Sequence, residues 1–234
     1  MMKIMSIMLA MIMTCSYCNA GAVDFGRYVL ARNNVASSGD SISASDDFNR
    51  ADSDTLGSLS GGTYTWNEVI ETSLEVKDNN VRKDDDSGAV WGAAVLSPAV
   101  DVYSGYVQAE QSRGDSSTRS CALIFGYVDT DNYFYAGLSD NAVVWAGANK
   151  INLRKVVGGV DSEVTSGDYS VSSSTWYTIK VTFNTSTNAI SVDVEGTEQL
   201  STTDSDLTNG NVGFLSQQAD QLVGGYTDDW SAVS

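Results

Sequence analysis

From residue 46 onward the chain is a succession of short segments in which apolar and polar residues alternate, with polar turns between them. Successive side chains on a strand point to opposite faces, so a period of two marks a strand with one face in a core and one in solvent. Trp176–Phe183 (WYTIKVTF) alternates throughout and is built almost wholly of aromatic and β-branched residues. Ala189–Glu195 (AISVDVE) alternates again, and the polar stretch Asn184–Asn188 between the two predicts a hairpin loop. Tyr106–Glu110 (YVQAE) follows the same rule. Ala122–Val128 and Asn132–Leu138 flank a second hairpin turn at Asp129-Thr130-Asp131. Val212–Leu215 and Tyr226–Val233 complete the series, and nowhere in it does a helical period develop. The pattern predicts one all-β domain over residues 46–234, an antiparallel β-sandwich or jelly roll. A chain of 234 residues is long enough to bury such a core without disulfides.

The first 45 residues read differently. Met1-Met2-Lys3 is followed by the apolar run Ile4–Met13 and then by Thr14–Ala20, and all six methionines fall within the first 13 positions. A basic start, a short apolar run and a small residue at the end describe a signal peptide over residues 1–20. The run falls short of the ~20 apolar residues that a membrane span requires. The chain is therefore expected to be secreted, to an extracellular, periplasmic or cell-surface location. Residues 21–45, rich in Ser, Asn and Gly toward their end, read as a linker or N-terminal arm. With Cys15 and Cys18 in the leader, Cys121 is left alone, a buried small hydrophobe with no disulfide partner.

Charge and composition remove several function classes. Thirty acidic residues against thirteen basic ones give a net charge of −17, which repels a phosphate backbone and argues against nucleic acid as a partner. The chain has no histidine. Ser-His-Asp and Cys-His catalysis, imidazole-ligated zinc and a histidine pH switch are thereby excluded. An acidic surface suits Ca²⁺ or a neutral ligand.

The stretches ALIFGYVDTDNYFYAGL, INLRKVVGG, WYTIKVTFNTSTNAISVDVEG, GNVGFLSQQ and YTDDWSAV, preceded by DDFNRADSDTLGS and a Trp, occur in that order between Asp46 and Val233. Together they resemble the concanavalin A-like lectin/glucanase superfamily, and within it the laminin-G-like jelly-roll domains. The resemblance implies two antiparallel sheets with the first and last strands adjacent. It implies a carbohydrate-binding module, lectin or adhesion domain, often with a structural Ca²⁺; the enzymes of the fold are glycoside hydrolases or polysaccharide lyases. The acidic strand motif E-x-D-x-x-E of its glycosidases is absent. Glu68, Glu71 and Glu75 are spaced three and four apart, so Glu68 and Glu71 on one strand would face opposite sides.

Sugars present apolar C–H faces and a rim of hydroxyls, which aromatic rings and amide or carboxylate groups meet. Tyr106, Gln108 and Glu110 lie on one face of their strand, and Tyr133 and Tyr135 on one face of another. The two sets share a surface if the strands share a sheet, with Trp145 and Arg154 at its rim. Calcium needs six to eight oxygen ligands. Asp46 and Asp47, brought near Asp228 and Asp229 by the closing strands, are the preferred cage. The D-x-D at Asp129 and Asp131 lacks the rest of an EF-hand loop, and Asp84–Asp86 reads as a solvated hairpin tip. Asn184-Thr185-Ser186 matches a glycosylation sequon on a hairpin loop. The leading expectation is a non-catalytic module whose partner is a carbohydrate or glycoconjugate. One alternative is a structural surface or virion protein, with the tyrosine face buried in a homo-oligomer or against another assembly partner. The other is a polysaccharide hydrolase or lyase, for which Glu110 has no evident second acid.

Overall fold

The computed structural model describes residues 42–70, 74–83, 90–112, 120–139, 149–172, 174–218 and 226–234. They fall within one compact unit, Asp40–Ser234. They contain fifteen strands, numbered here in chain order, and no helix. No helix among them is long and apolar enough to cross a membrane.

One sheet runs in the order β13 (Thr197–Thr203), β12 (Ala189–Val194), β11 (Trp176–Asn184), β6 (Ser104–Ser112), β15 (Tyr226–Val233), β4 (Asn80–Lys83) and β3 (Leu74–Lys77), with β1 (Ser43–Asp46) also paired to β15. The other runs β10 (Val160–Asp168), β9 (Lys150–Val157), β8 (Asn132–Ser139), β7 (Ser120–Asp129), β14 (Asn211–Gln218), β5 (Val90–Ser97) and β2 (Thr65–Ile70). Every pairing is antiparallel. The chain is an antiparallel β-sandwich, as the alternation predicts.

The alternation also sets which residues fill the sandwich. Ile179, Val181 and Phe183 of β11 are buried, and Lys180 and Thr182 between them turn outward. Val107 and Ala109 of β6 meet Leu123 and Phe125 of β7, Phe134 and Ala136 of β8 and Phe214 of β14 in one cluster. Each large side chain taken from water in this way stabilises the fold by about 1.5–3 kcal/mol. Phe48, Trp66, Phe214 and Trp230 pack at one place, with ring centroids of Trp66 4.8 Å from both Phe214 and Trp230.

Turns obey local chemistry. Gly158 and Gly159 both take positive φ, 59° and 77°, which a two-residue hairpin between β9 and β10 requires and a side chain resists. The predicted turn at Asp129 is closed by its own carboxylate, which accepts from Asp131 N (2.9 Å) and Asn132 Nδ2 (2.8 Å). The first and last strands are adjacent, with Ser43–Asp46 paired to Val233–Trp230. The sandwich therefore starts before residue 46. Composition alone assigns Ile42–Ser45 to the arm, but Ile42 and Ala44 enter the core and pull that segment into the sheet.

Candidate functional site

The expected ligand residues are divided between the two sheets. Tyr106, Gln108 and Glu110 lie on β6, outward because Val107 and Ala109 are buried. Tyr133 and Tyr135 lie on β8 of the other sheet. β6 and β7 are consecutive in the chain yet belong to different sheets, so the two tyrosine sets cannot form one surface. Trp145 lies outside the described residues.

On the outer face of the eight-stranded sheet, β6, β11, β12 and β13 shape a shallow groove of about 510 Å³. Register puts its residues in rows. Tyr106 faces Thr182, Thr182 faces Ser191, and Ser191 faces Ser201. Beside that row Gln108 faces Lys180, Lys180 faces Asp193, and Asp193 faces Glu198. The Lys180 ammonium sits 4.2 Å from the centre of the Tyr106 ring, a cation–π contact that holds both side chains over the sheet. Ser104, Asn184 and Ala189 also line the groove. Gln108 and Glu110 continue the same face along β6. The groove thus offers one ring, an ammonium, a carboxylate, an amide and several hydroxyls on a rigid floor, an assortment able to meet both the apolar face and the hydroxyls of a sugar. Lys180, Asn184, Ser191, Glu198 and Ser201 are absent from the sequence-based set. Alternation in WYTIKVTF and AISVDVE already turns Lys180 and Ser191 outward; the adjacency of β6, β11 and β12 was the missing piece.

The opposite face of the molecule has another character. Ala93, Ala122, Ile124 and Leu215 form a buried floor on the outer side of the seven-stranded sheet. Over it the rings of Tyr127, Tyr133, Tyr135 and Trp91 follow one another, with centroids 6.0, 5.8 and 6.1 Å apart. Tyr135 is only 3% exposed. Its hydroxyl donates to Asp161 Oδ1 (3.0 Å) and accepts from Arg154 Nε (3.1 Å). Arg154 also forms a bidentate pair with Asp161, both contacts at 3.1 Å. Burial, and the negative charge of Asp161 after it, push the Tyr135 phenol up and raise that of Tyr133 to about 12. Tyr135 and Arg154 hold one another and the β9–β10 ladder, whereas Tyr133 keeps part of its ring in solvent.

At the closing strands Asp46 is fully buried and its oxygens are occupied. It pairs with both terminal nitrogens of Arg50 (2.9 and 3.1 Å), and it accepts from Trp66 Nε1 (2.7 Å), Ser60 Oγ (3.2 Å) and Phe48 N (3.1 Å). Phe48 is held at φ 46°, an unusual conformation for a bulky residue. The DDFNR stretch is thus a locked corner: the acid meets a guanidinium where four facing carboxylates had suggested a cation. Asp47 accepts from Ser60 Oγ (2.8 Å) and Asn49 N (3.2 Å), which lowers its pKa, with the Ser60 bond the larger cause. Asp228 and Asp229 are on β15, Asp228 in register with Glu110, and their side chains lie outside the description. Among the described residues no group of three or more His, Cys, Asp or Glu is placed to hold a metal. Asp84–Asp86 also lie outside the described residues. Asn184 accepts from Ser186 N (2.9 Å) and Thr187 N (3.2 Å), so the sequon forms a turn at the groove's end.

No protein-family model matches the chain, and no curated protein matches it in sequence. Solved structures do match in fold. The carbohydrate binding module CBM66 from Bacillus subtilis is 13% identical, with a TM-score of 0.58 over 72% of this chain and 95% of that one. The exoplasmic/lumenal domain of VIP36 in its Ca²⁺/Man-bound form is 12% identical, with a TM-score of 0.55 over 71% and 82%. Peanut lectin is 12% identical, with a TM-score of 0.54 over 83% and 97%. The chain has the fold of the lectin-like β-sandwich domains.

Proposed function

We propose that the protein is a secreted, non-catalytic glycan-binding module and that it binds in the groove of the eight-stranded sheet. The observation that carries this reading is the groove's lining: Tyr106 with Lys180 over its ring, bordered by Asn184, Ser191, Glu198 and Ser201. The Tyr106 ring takes the C–H face of a sugar, and the amide, carboxylate and hydroxyls take its hydroxyl rim. A shallow site gives modest affinity, which several copies on one surface raise through multivalency. The likeness in fold to a carbohydrate binding module and to the mannose-bound VIP36 domain supports the reading, and the leader-like start at Met1–Ala20 supports secretion. At the closing strands a structural Ca²⁺ would draw on Asp47, Asp228 and Asp229.

A glycan array probed with the protein, with Ca²⁺ and with chelator, tests the proposal. Binding is expected to vanish in Tyr106→Ala and Lys180→Ala and to persist in Tyr133→Ala. Loss only in Tyr133→Ala moves the site to the other sheet, and no binding by the folded protein rejects the glycan reading.

A second reading, an assembly unit, is favoured by one observation. Val69, Ile70, Tyr127 and Tyr133 remain partly exposed around the apolar floor of the seven-stranded sheet. Sedimentation velocity would then show an oligomer that Tyr133→Asp dissociates.

A further inference from the structure

The interior of the sandwich is apolar along most of its length, but it turns polar where β6 ends and β15 begins. Gln111 and Thr227 are register partners on these two strands. Both are buried, at 1% and 0% exposure. Gln111 has the parity of Val107 and Ala109, so its side chain enters the space between the sheets, and Thr227 opposite it takes the same face. On the facing sheet Cys121 and Ser216, also register partners, are buried at the same end, with Cys121 Sγ 3.8 Å from the carbonyl oxygen of Ser112. Among the described residues, Nε2 and Oε1 of Gln111 and Oγ1 of Thr227 have no hydrogen-bond partner.

Buried polar groups in folded proteins are almost always satisfied, so three orphans on two paired residues call for a ligand. Their chemistry chooses it. A cation would leave the Gln111 N–H groups unmet, and an anion the Gln111 amide oxygen. A molecule that both donates and accepts satisfies all three, and water is the one small enough for a core position; buried waters typically make about three hydrogen bonds.

We propose that the sandwich interior between Gln111 and Thr227 holds a structural water that bridges the Gln111 amide to the Thr227 hydroxyl and ties β6 to β15 from within. The near-isosteric variants Gln111→Met and Thr227→Val remove the polar atoms while keeping the volume. Urea unfolding of the two single variants and the double variant tests the bridge. Each single variant is expected to unfold at lower urea than the parent, and the double variant to lose less than the sum of the two, because both losses remove one shared water. Midpoints that stay or rise in both singles, with additive effects in the double, would overturn the proposal, since deleting genuinely unpaired groups relieves a penalty. A crystal structure of the unaltered protein gives the answer even where a variant fails to fold. Ordered density within hydrogen-bond distance of both side chains supports the water, and a dry contact between them rejects it.

Discussion

Replacing Asp46 with alanine should destabilise the protein more than any other single acidic-to-alanine change among the described residues. The carboxylate has no solvent exposure and is held by five donors: two guanidinium nitrogens of Arg50, Trp66 Nε1, Ser60 Oγ and Phe48 N. Removing one member of a buried ion pair costs about 3–5 kcal/mol, because the partner's charge and the orphaned donors stay behind. Arg50 keeps 27% of its side chain in solvent and regains some hydration, which trims the loss toward the lower half of that range. Trp66 Nε1 and Phe48 N have less recourse, since both residues are buried. Phe48 is also left at positive φ without the hydrogen bond that fixes it. For a domain of this size each kcal/mol moves Tm by about 2–4 °C, so a drop of ~6–16 °C is expected. Asp46→Asn retains one acceptor and should lose less. Arg50→Met leaves the buried carboxylate unpaired, and the double variant with Asp46→Asn should cost less than the sum of the singles. Differential scanning calorimetry with and without chelator reads all of this. A loss below about 1 kcal/mol in Asp46→Ala would refute the locked corner. So would a chelator effect that lowers the parent's Tm and leaves Asp46→Ala untouched, because Asp46 would then be a metal ligand.

Two further outcomes follow from burial. Cys121 is buried and its thiol is pushed far up by desolvation, so a thiol reagent should leave it unmodified in the folded protein and label it fully in denaturant; rapid labelling under native conditions would contradict its placement. The phenols of Tyr127, Tyr133, Tyr135 and Tyr169 are all raised, chiefly by burial, Tyr133 to about 12. A raised acid keeps its proton in the folded state after the unfolded chain has released it, so this contribution to stability is whole below pH 10 and is lost as pH climbs toward 12. Absorbance titration at alkaline pH should therefore show part of the tyrosine ionising only together with unfolding, and a single ordinary transition with the fold intact would count against the ring row.

The strands of the sandwich were legible because their signal is local. Trp176–Phe183 alternates over its whole length, and β11 follows it with Ile179, Val181 and Phe183 buried. β3, β4 and β13 were harder to read, because LEVK and NVRK are only four residues long and half charged, and TEQLSTT has a single large apolar residue. The start of the domain was misplaced by a few residues for a related reason. Ile42 and Ala44 sit among Ser and Asp, and their burial depends on a β15 nearly two hundred positions away.

The candidate site divides in the same way. By itself the sequence determined the all-β class, the facing of residues on the strands that alternate plainly, the exclusion of histidine chemistry and the adverse charge for nucleic acid, since each follows from composition or from a period of two. Tertiary structure alone decided that Tyr106 and Tyr133 stand on different sheets, that Lys180 covers the Tyr106 ring, and that Asp46 is met by Arg50 and Trp66. Those facts rest on which strands are neighbours and on how a side chain reaches across the gap between them. Alternation says which way a residue points, and only the packed sheets say what it points at.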